Sequence, residues 1–213
     1  MCLKAAIFDL DGVIVFTDQF HYRAWKKMAD ELGIYFDEEI NNRLRGVGRM
    51  DSLEIILERY EGETLSTKKK EALAAQKNEN YRELLKTMTP DDVSDEVRKT
   101  LDEIRRRGYK IALGSSSKNA KFILKQVELL DAFDEISDGT IITKSKPDPE
   151  VFVKASEFLH EKPEHCLVVE DAVSGIEAGI AGGMKTAAIG DACSSNMADF
   201  TLDTFSDLLN ILK

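Results

Sequence analysis

Four short apolar runs recur along the chain, and the first three lead into polar residues. They are KAAIFDL at 4–10, YKIALGSS at 109–116, HCLVVED at 165–171 and MKTAAIG at 184–190. Runs this short and continuous suit strands covered on both faces, as in a parallel sheet. Segments with helical spacing lie between them. In SDEVRKTLDEIRRRG, Ser94 is a candidate N-cap, Val97, Leu101 and Ile104 share a face, and Gly108 is a stop. DPEVFVKASEFL reads as a helix with Asp148 as N-cap and Pro149 at its first position. Strands alternating with helices predict a doubly wound α/β domain.

From about His21 to Lys86 the pattern changes. HYRAWKKMADELG, DEEINNRLRG, MDSLEIILERY and STKKKEALAAQKNENYRELLK follow one another, charge-rich and without a strand candidate. The expected division is an α/β core from 1–16 and 87–213, interrupted by an α-helical domain over 17–86. Gly46 stands at a break between two of these helices. The run from Lys68 to Lys70 reads as a solvated helix face.

Charge narrows the partners. With 29 basic and 39 acidic residues the formal net charge is −10, which argues against sequence-independent nucleic-acid binding, since that needs a basic surface. A small anionic substrate remains open if its site carries local positive charge or a metal. Cys2, Cys166 and Cys193 form no C-x-x-C pair; Cys166, inside an apolar run, reads as a small buried hydrophobe. A reducing compartment suits this usage. There is no secretory h-region and no run near the ~18 apolar residues of a membrane span, so a cytoplasmic enzyme or binding protein is expected.

In a parallel α/β sheet, ligands bind beyond the carboxyl ends of the strands. The first run ends in Asp9 and Asp11, the second in Ser115, Ser116 and Asn119, and the third in Glu170 and Asp171, with Lys144 and Lys146 in the KSKPDP segment. Taken singly, Asp-x-Asp-Gly is an ordinary turn, GSSSKN an ordinary helix cap, and Glu-Asp a surface pair. Together they offer hard oxygen donors suited to Mg²⁺, free N–H groups at a helix start suited to phosphate, and a lysine for the phosphoryl charge. That inventory fits phosphoryl transfer, which works by positioning and charge neutralisation.

DLDGVI, SSSKN, KSKPDP and VVEDAVSGIEAG resemble the successive motifs of the haloacid dehalogenase superfamily of phosphotransferases, and the helical insertion resembles its α-helical cap. FHYRAW, LRGVGRMDSL and KNENY resemble the glucose-phosphate mutases of that superfamily, so the likeness covers nearly the whole chain. The resemblance implies that Asp9 is the nucleophile and Asp11 the general acid/base. It gives Mg²⁺ to Asp9, Asp11 (through its backbone carbonyl), Glu170 and Asp171. Ser115, Ser116, Asn119 and Lys146 would surround the transferring phosphoryl group. Arg49 would grip the other phosphate, and His21, Trp25, Lys77, Ser52, Gly46 and Val47 would shape the sugar site, with Thr17 at the hinge. The implied reaction interconverts β-glucose 1-phosphate and glucose 6-phosphate through a bisphosphate and a phospho-Asp9 enzyme. The rival is a sugar-phosphate or phosphoglycolate-type phosphatase of the same superfamily. The expected partner is a small sugar phosphate, with no nucleic acid or membrane, and the protein is expected to be a monomer.

The chain departs from the family pattern at Phe16, where an Asp is common, at Gly48, where a serine is usual before Arg49, and at Arg45, where a lysine is familiar. Trp25, the sole tryptophan, has core packing as an equal reading. His21 and Arg49 would pass for surface residues without the resemblance, and His160 and His165 read as surface residues.

Overall fold

The computed structural model describes residues 2–44 and 47–213. In chain order, β1 (Ala5–Phe8) is followed by the helices α1 (Asp18–Glu31), α2 (Glu38–Asn42), α3 (Arg49–Leu57) and α4 (Thr67–Leu85). Next come α5 (Asp95–Arg106), β2 (Lys110–Gly114), α6 (Ala120–Gln126), β3 (Glu135–Ser137) and α7 (Glu150–Phe158). The chain closes with β4 (Cys166–Glu170), α8 (Val173–Ala181), β5 (Lys185–Ala188), β6 (Phe200–Thr201) and α9 (Leu208–Ile211). It divides into two compact units, Met1–Phe16 with Met88–Lys213, and Thr17–Thr87. The sequence reading starts the α/β segment at 87. Thr87 instead joins the helical unit, because its N–H (3.0 Å) and its hydroxyl (2.7 Å) both donate to the Leu84 carbonyl at the end of α4.

The described strands of the first unit form a parallel sheet in the order β3-β2-β1-β4-β5-β6. The chain winds outward from β1 to β3, crosses back, and continues from β4 to β6 on the other side. The boundary between β1 and β4 is therefore the topological switch point, where such sheets bind ligands at their carboxyl ends. Alternation across the pleat divides the core. Ala5 and Ile7 of β1, Ala112 of β2 and Cys166 and Val168 of β4 pack with Val151, Phe152 and Ala155 of α7 and Ala178 of α8. Phe8, on the opposite face, meets Phe133 and Phe205 at centroid distances of 6.5 and 5.6 Å. Cys166 is fully buried, as its apolar run predicts.

Caps explain several helix limits. Ser94 accepts from the Val97 N–H at 3.2 Å to open α5, whose buried face includes Val97, Leu101 and Ile104, and Gly108 follows its end at φ +86°. The α7 helix starts one residue later than its sequence suggests. Pro149 lies before it and supplies the carbonyl bonded by the Phe152 and Val153 N–H groups, and Asp148 Oδ1 accepts from the Glu150 N–H at 3.0 Å.

The helical unit has its own core, in which Trp25, Met28 and Ala29 of α1 pack with Phe36, Ile40 of α2, Leu53 and Ile56 of α3, and Leu73 and Ala74 of α4. Ser66 caps α4 by accepting from the Lys69 N–H, and Asp37 caps α2 by accepting from the Ile40 N–H. Among the described residues no helix is long and apolar enough to cross a membrane.

Candidate active site

The register of the sheet brings the first and fourth strand ends together. Phe8 pairs with Val169, and the Asp9 N–H donates to the Val169 carbonyl at 3.0 Å, so Asp9 and Glu170 emerge as neighbours across the switch point. After Asp9 the chain bends. The Ile14 and Val15 N–H groups both return to the Leu10 carbonyl, and Gly12 adopts φ +83°. That glycine also makes room, since a Cβ there would lie 2.0 Å from Asp171 Oδ2. Gly175 does the same for Glu170, whose carboxyl carbon would be 1.9 Å from an added Cβ. Carboxylate oxygens of Asp9, Glu170 and Asp171 all lie within 4.8 Å of one another. Asp11 stands beside this trio without a side-chain oxygen in it, on the turn that follows the strand.

Lys146 reaches this cluster from its loop. Its ammonium donates to Asp9 Oδ1 and, at 2.6 Å, to Glu170 Oε1, while Glu170 Oε2 accepts from the Ala172 N–H at 2.8 Å. One ammonium faces a surplus of carboxylates in a dry place. Burial pushes Asp9 up to about 7 against the opposing pull of Lys146. Burial, then the Glu170, Asp9 and Asp11 charges, pushes Asp171 up to about 8. Burial alone would lower Lys146, but Asp9 and Glu170 outweigh it and hold the ammonium charged. Lys144 stays outside, 71% exposed and paired with Asp148 at 3.2 Å.

At the end of β2, buried Ser115 accepts from the Ser117 N–H at 3.2 Å, and Ser117 accepts from the Asn119 N–H at 3.2 Å. These two bonds shape the turn that leads into α6. The Ser116 hydroxyl oxygen is buried and has no hydrogen-bond partner among the described residues. Ser117 escaped the sequence reading, although it sits inside the SSSKN motif.

The helical unit assembles a second group. Lys77 is buried, with its Nζ 3.0 Å from His21 Nδ1 and 4.5 and 4.9 Å from the Trp25 and Tyr81 ring centroids. Burial, then Arg49, pushes Lys77 down to about 7. Burial, then Lys77 and Arg49, holds His21 well below its ordinary value. Trp25 is 3% exposed in the core of this unit, so its packing role is filled and it offers Lys77 a ring face. Thr17 is buried and accepts from the Tyr81 hydroxyl at 3.1 Å. Ser52 is buried, its hydroxyl 3.4 Å from the Val47 carbonyl, and Arg49 donates to Asn78 Oδ1 at 2.8 Å. Tyr81 was not singled out from the sequence, because an aromatic at helical spacing reads as core. Gly46 and Arg45 lie outside the described residues. Phe16 is 75% exposed.

A family model of haloacid dehalogenase-like hydrolases matches residues 3–183. Over 207 residues, 97% of this chain and 92% of the relative, the sequence is 39% identical to the β-phosphoglucomutase of Bacillus subtilis. It is also 29% identical, over 86% of this chain and 83% of the relative, to a phosphorylated carbohydrates phosphatase of Thermotoga maritima. Among solved structures, a β-phosphoglucomutase from Clostridium difficile matches with a TM-score of 0.88 at 34% identity, covering 97% of this chain and 93% of that one.

Proposed function

Because the chain belongs to the haloacid dehalogenase-like hydrolase family, we propose that its strand-end carboxylates carry out phosphoryl transfer between the two ends of a glucose phosphate. The reaction would interconvert β-glucose 1-phosphate and glucose 6-phosphate. The observation that carries the transfer chemistry is the convergence of Asp9, Glu170, Asp171 and Lys146 at the switch point. Asp9 attacks phosphorus and holds the phosphoryl group as an acyl phosphate. Asp11, two residues on and past the bend, gives and takes the proton of the sugar hydroxyl. Lys146 and Ser115 hold the transferring group, with Ser116 and Asn119 beside it.

The donor set fits Mg²⁺: three clustered carboxylates are hard oxygen ligands, and burial first, then the neighbouring carboxylate charges, raises the proton affinity of Asp9 and Asp171. Asp9, Glu170 and Asp171, with the Asp11 carbonyl, would hold the ion, which when bound would neutralise phosphoryl charge. A stability test follows. Asp9 and Asp171 bind protons more tightly folded than unfolded, so without a divalent ion their contribution is lost as pH rises from about 4 to about 8. Mg²⁺ should therefore raise the melting temperature more at pH 8 than at pH 5. The helical signal should survive chelation, since the sheet edge is built without the ion. An equal Mg²⁺ effect at both pH values would count against binding at these carboxylates.

The mutase reading over the phosphatase reading rests on the helical unit. Lys77 is buried with no ion pair among the described residues, and Arg49 adds to the positive charge around it. An anion there would relieve the cost of burying that charge, and a sugar bisphosphate carries one to spare. Arg49 would take the phosphate that is not being transferred.

Incubation with β-glucose 1-phosphate, Mg²⁺ and a trace of the bisphosphate should yield glucose 6-phosphate. Inorganic phosphate at a comparable rate would favour the phosphatase. Arg49→Ala should lower kcat/KM for glucose phosphates by about 10- to 150-fold, the scale of losing a charged hydrogen bond worth about 1.5–3 kcal/mol. Phosphorylation of Asp9 by acetyl phosphate, which has no second phosphate, should be nearly unchanged. Equal losses on both donors would remove Arg49 from the substrate site.

A further inference from the structure

Lys146 has carboxylates on one side and an aromatic ring on another. Its Nζ lies 4.6 Å from the centroid of Phe152, while the ammonium donates to Asp9 and Glu170. The lysine side chain is 9% exposed, and Phe152, on α7, is fully buried. The sheet makes room for that ring. A Cβ at Gly114, the last residue of β2, would fall 2.6 and 2.8 Å from Phe152 Cδ1 and Cε1.

An ammonium has three N–H groups, and the carboxylates of Asp9 and Glu170 account for two. With so little of Lys146 open to water, the surface it turns toward Phe152 must be stabilised by something other than solvent. The negative face of an aromatic ring does this, and does it better where water is scarce. An aliphatic side chain could fill the same space, but it would leave that side of the cation uncompensated.

We propose that Phe152 is a positioning residue for phosphoryl transfer. Its ring face holds the Lys146 ammonium at the ends of β1 and β4, so that the charge stays aimed at the group carried by Asp9. The inference rests on the role proposed above for Lys146. If Phe152 served packing alone, only its shape would matter; if it holds the cation, the electron density of its ring face matters too.

Fluorination separates these. Mono-, di- and trifluorinated phenylalanines at position 152 of the full chain withdraw density from the ring face with little change in shape. With Mg²⁺ present, the rate of Asp9 phosphorylation by acetyl phosphate should fall stepwise. By the trifluorinated ring the loss should be about three- to thirty-fold, the span of cation–π strength from exposed to dry sites, with the fold retained by circular dichroism and a melting temperature lowered by no more than a few degrees. A flat series, in a protein where Lys146→Ala strongly impairs transfer, would overturn the positioning role and leave the proposed function standing. Normal transfer by Lys146→Ala would overturn the role of the lysine, and this inference with it.

Discussion

Asp9→Asn should abolish phosphoryl transfer, a loss on the order of 10⁵-fold or more, the scale seen when a covalent nucleophile is removed. An amide is a far weaker nucleophile than a carboxylate and cannot form the acyl phosphate. The fold should tolerate the change. The variant keeps an amide oxygen that can accept from Lys146, leaves Glu170 as its charged partner, and removes one of the crowded carboxylates. Circular dichroism should therefore match the parent while no phosphate is incorporated from labelled acetyl phosphate. Labelling of the variant at the parent rate would place the nucleophile elsewhere.

Asp11→Asn should slow turnover of glucose phosphates by about 10²–10⁴-fold, the range for losing a general acid/base. The loss should depend on the leaving group. Acetate departs from acetyl phosphate without help from a proton, so Asp9 should still be phosphorylated by that donor at close to the parent rate. A sugar alkoxide leaves slowly unless it is protonated, so the glucose bisphosphate should lose its phosphoryl group to Asp9 far more slowly. Equal losses for both donors would mean that Asp11 serves the metal or the turn instead of the proton.

The two remaining substitutions divide the same chemistry by location. On the proposed roles, Arg49→Ala probes the phosphate that is not being transferred and fluorination of Phe152 the one that is, so their effects on acetyl phosphate should differ. The first should spare that donor and the second should not. A chain that failed both contrasts would lose Arg49 from the substrate site and Phe152 as a positioning residue, while the proposed role of Lys146 would rest on Lys146→Ala alone.

Much of the fold was legible because its signals are local. A continuous apolar run can be read without knowing its neighbours, and all four such runs are strands. Ser94 as a cap and Gly108 as a stop depend on hydrogen bonds and φ angles within a few residues. The helical insertion was legible for the same reason. β3 and β6 were not, because strands of three and two residues carry no pattern of their own and exist through pairing with β2 and β5.

The sequence by itself determined which polar residues stand at or near the strand ends: Asp9, Asp11, Lys146, Glu170 and Asp171 follow one another in an order that could be read directly. Only the tertiary structure decided how they meet. Strand order makes β1 and β4 neighbours although about 160 residues of chain separate them, and that pairing sets Asp9 against Glu170. It also decided what no local pattern can carry: that Lys146 is shared by two carboxylates while Lys144 lies in solvent, and that Gly12, Gly175 and Gly114 are vacant spaces for Asp171, Glu170 and Phe152. The physical reason is that hydrogen-bonding and turn preferences act along the chain, whereas burial, close approach and charge crowding act through space between segments that packing alone brings together.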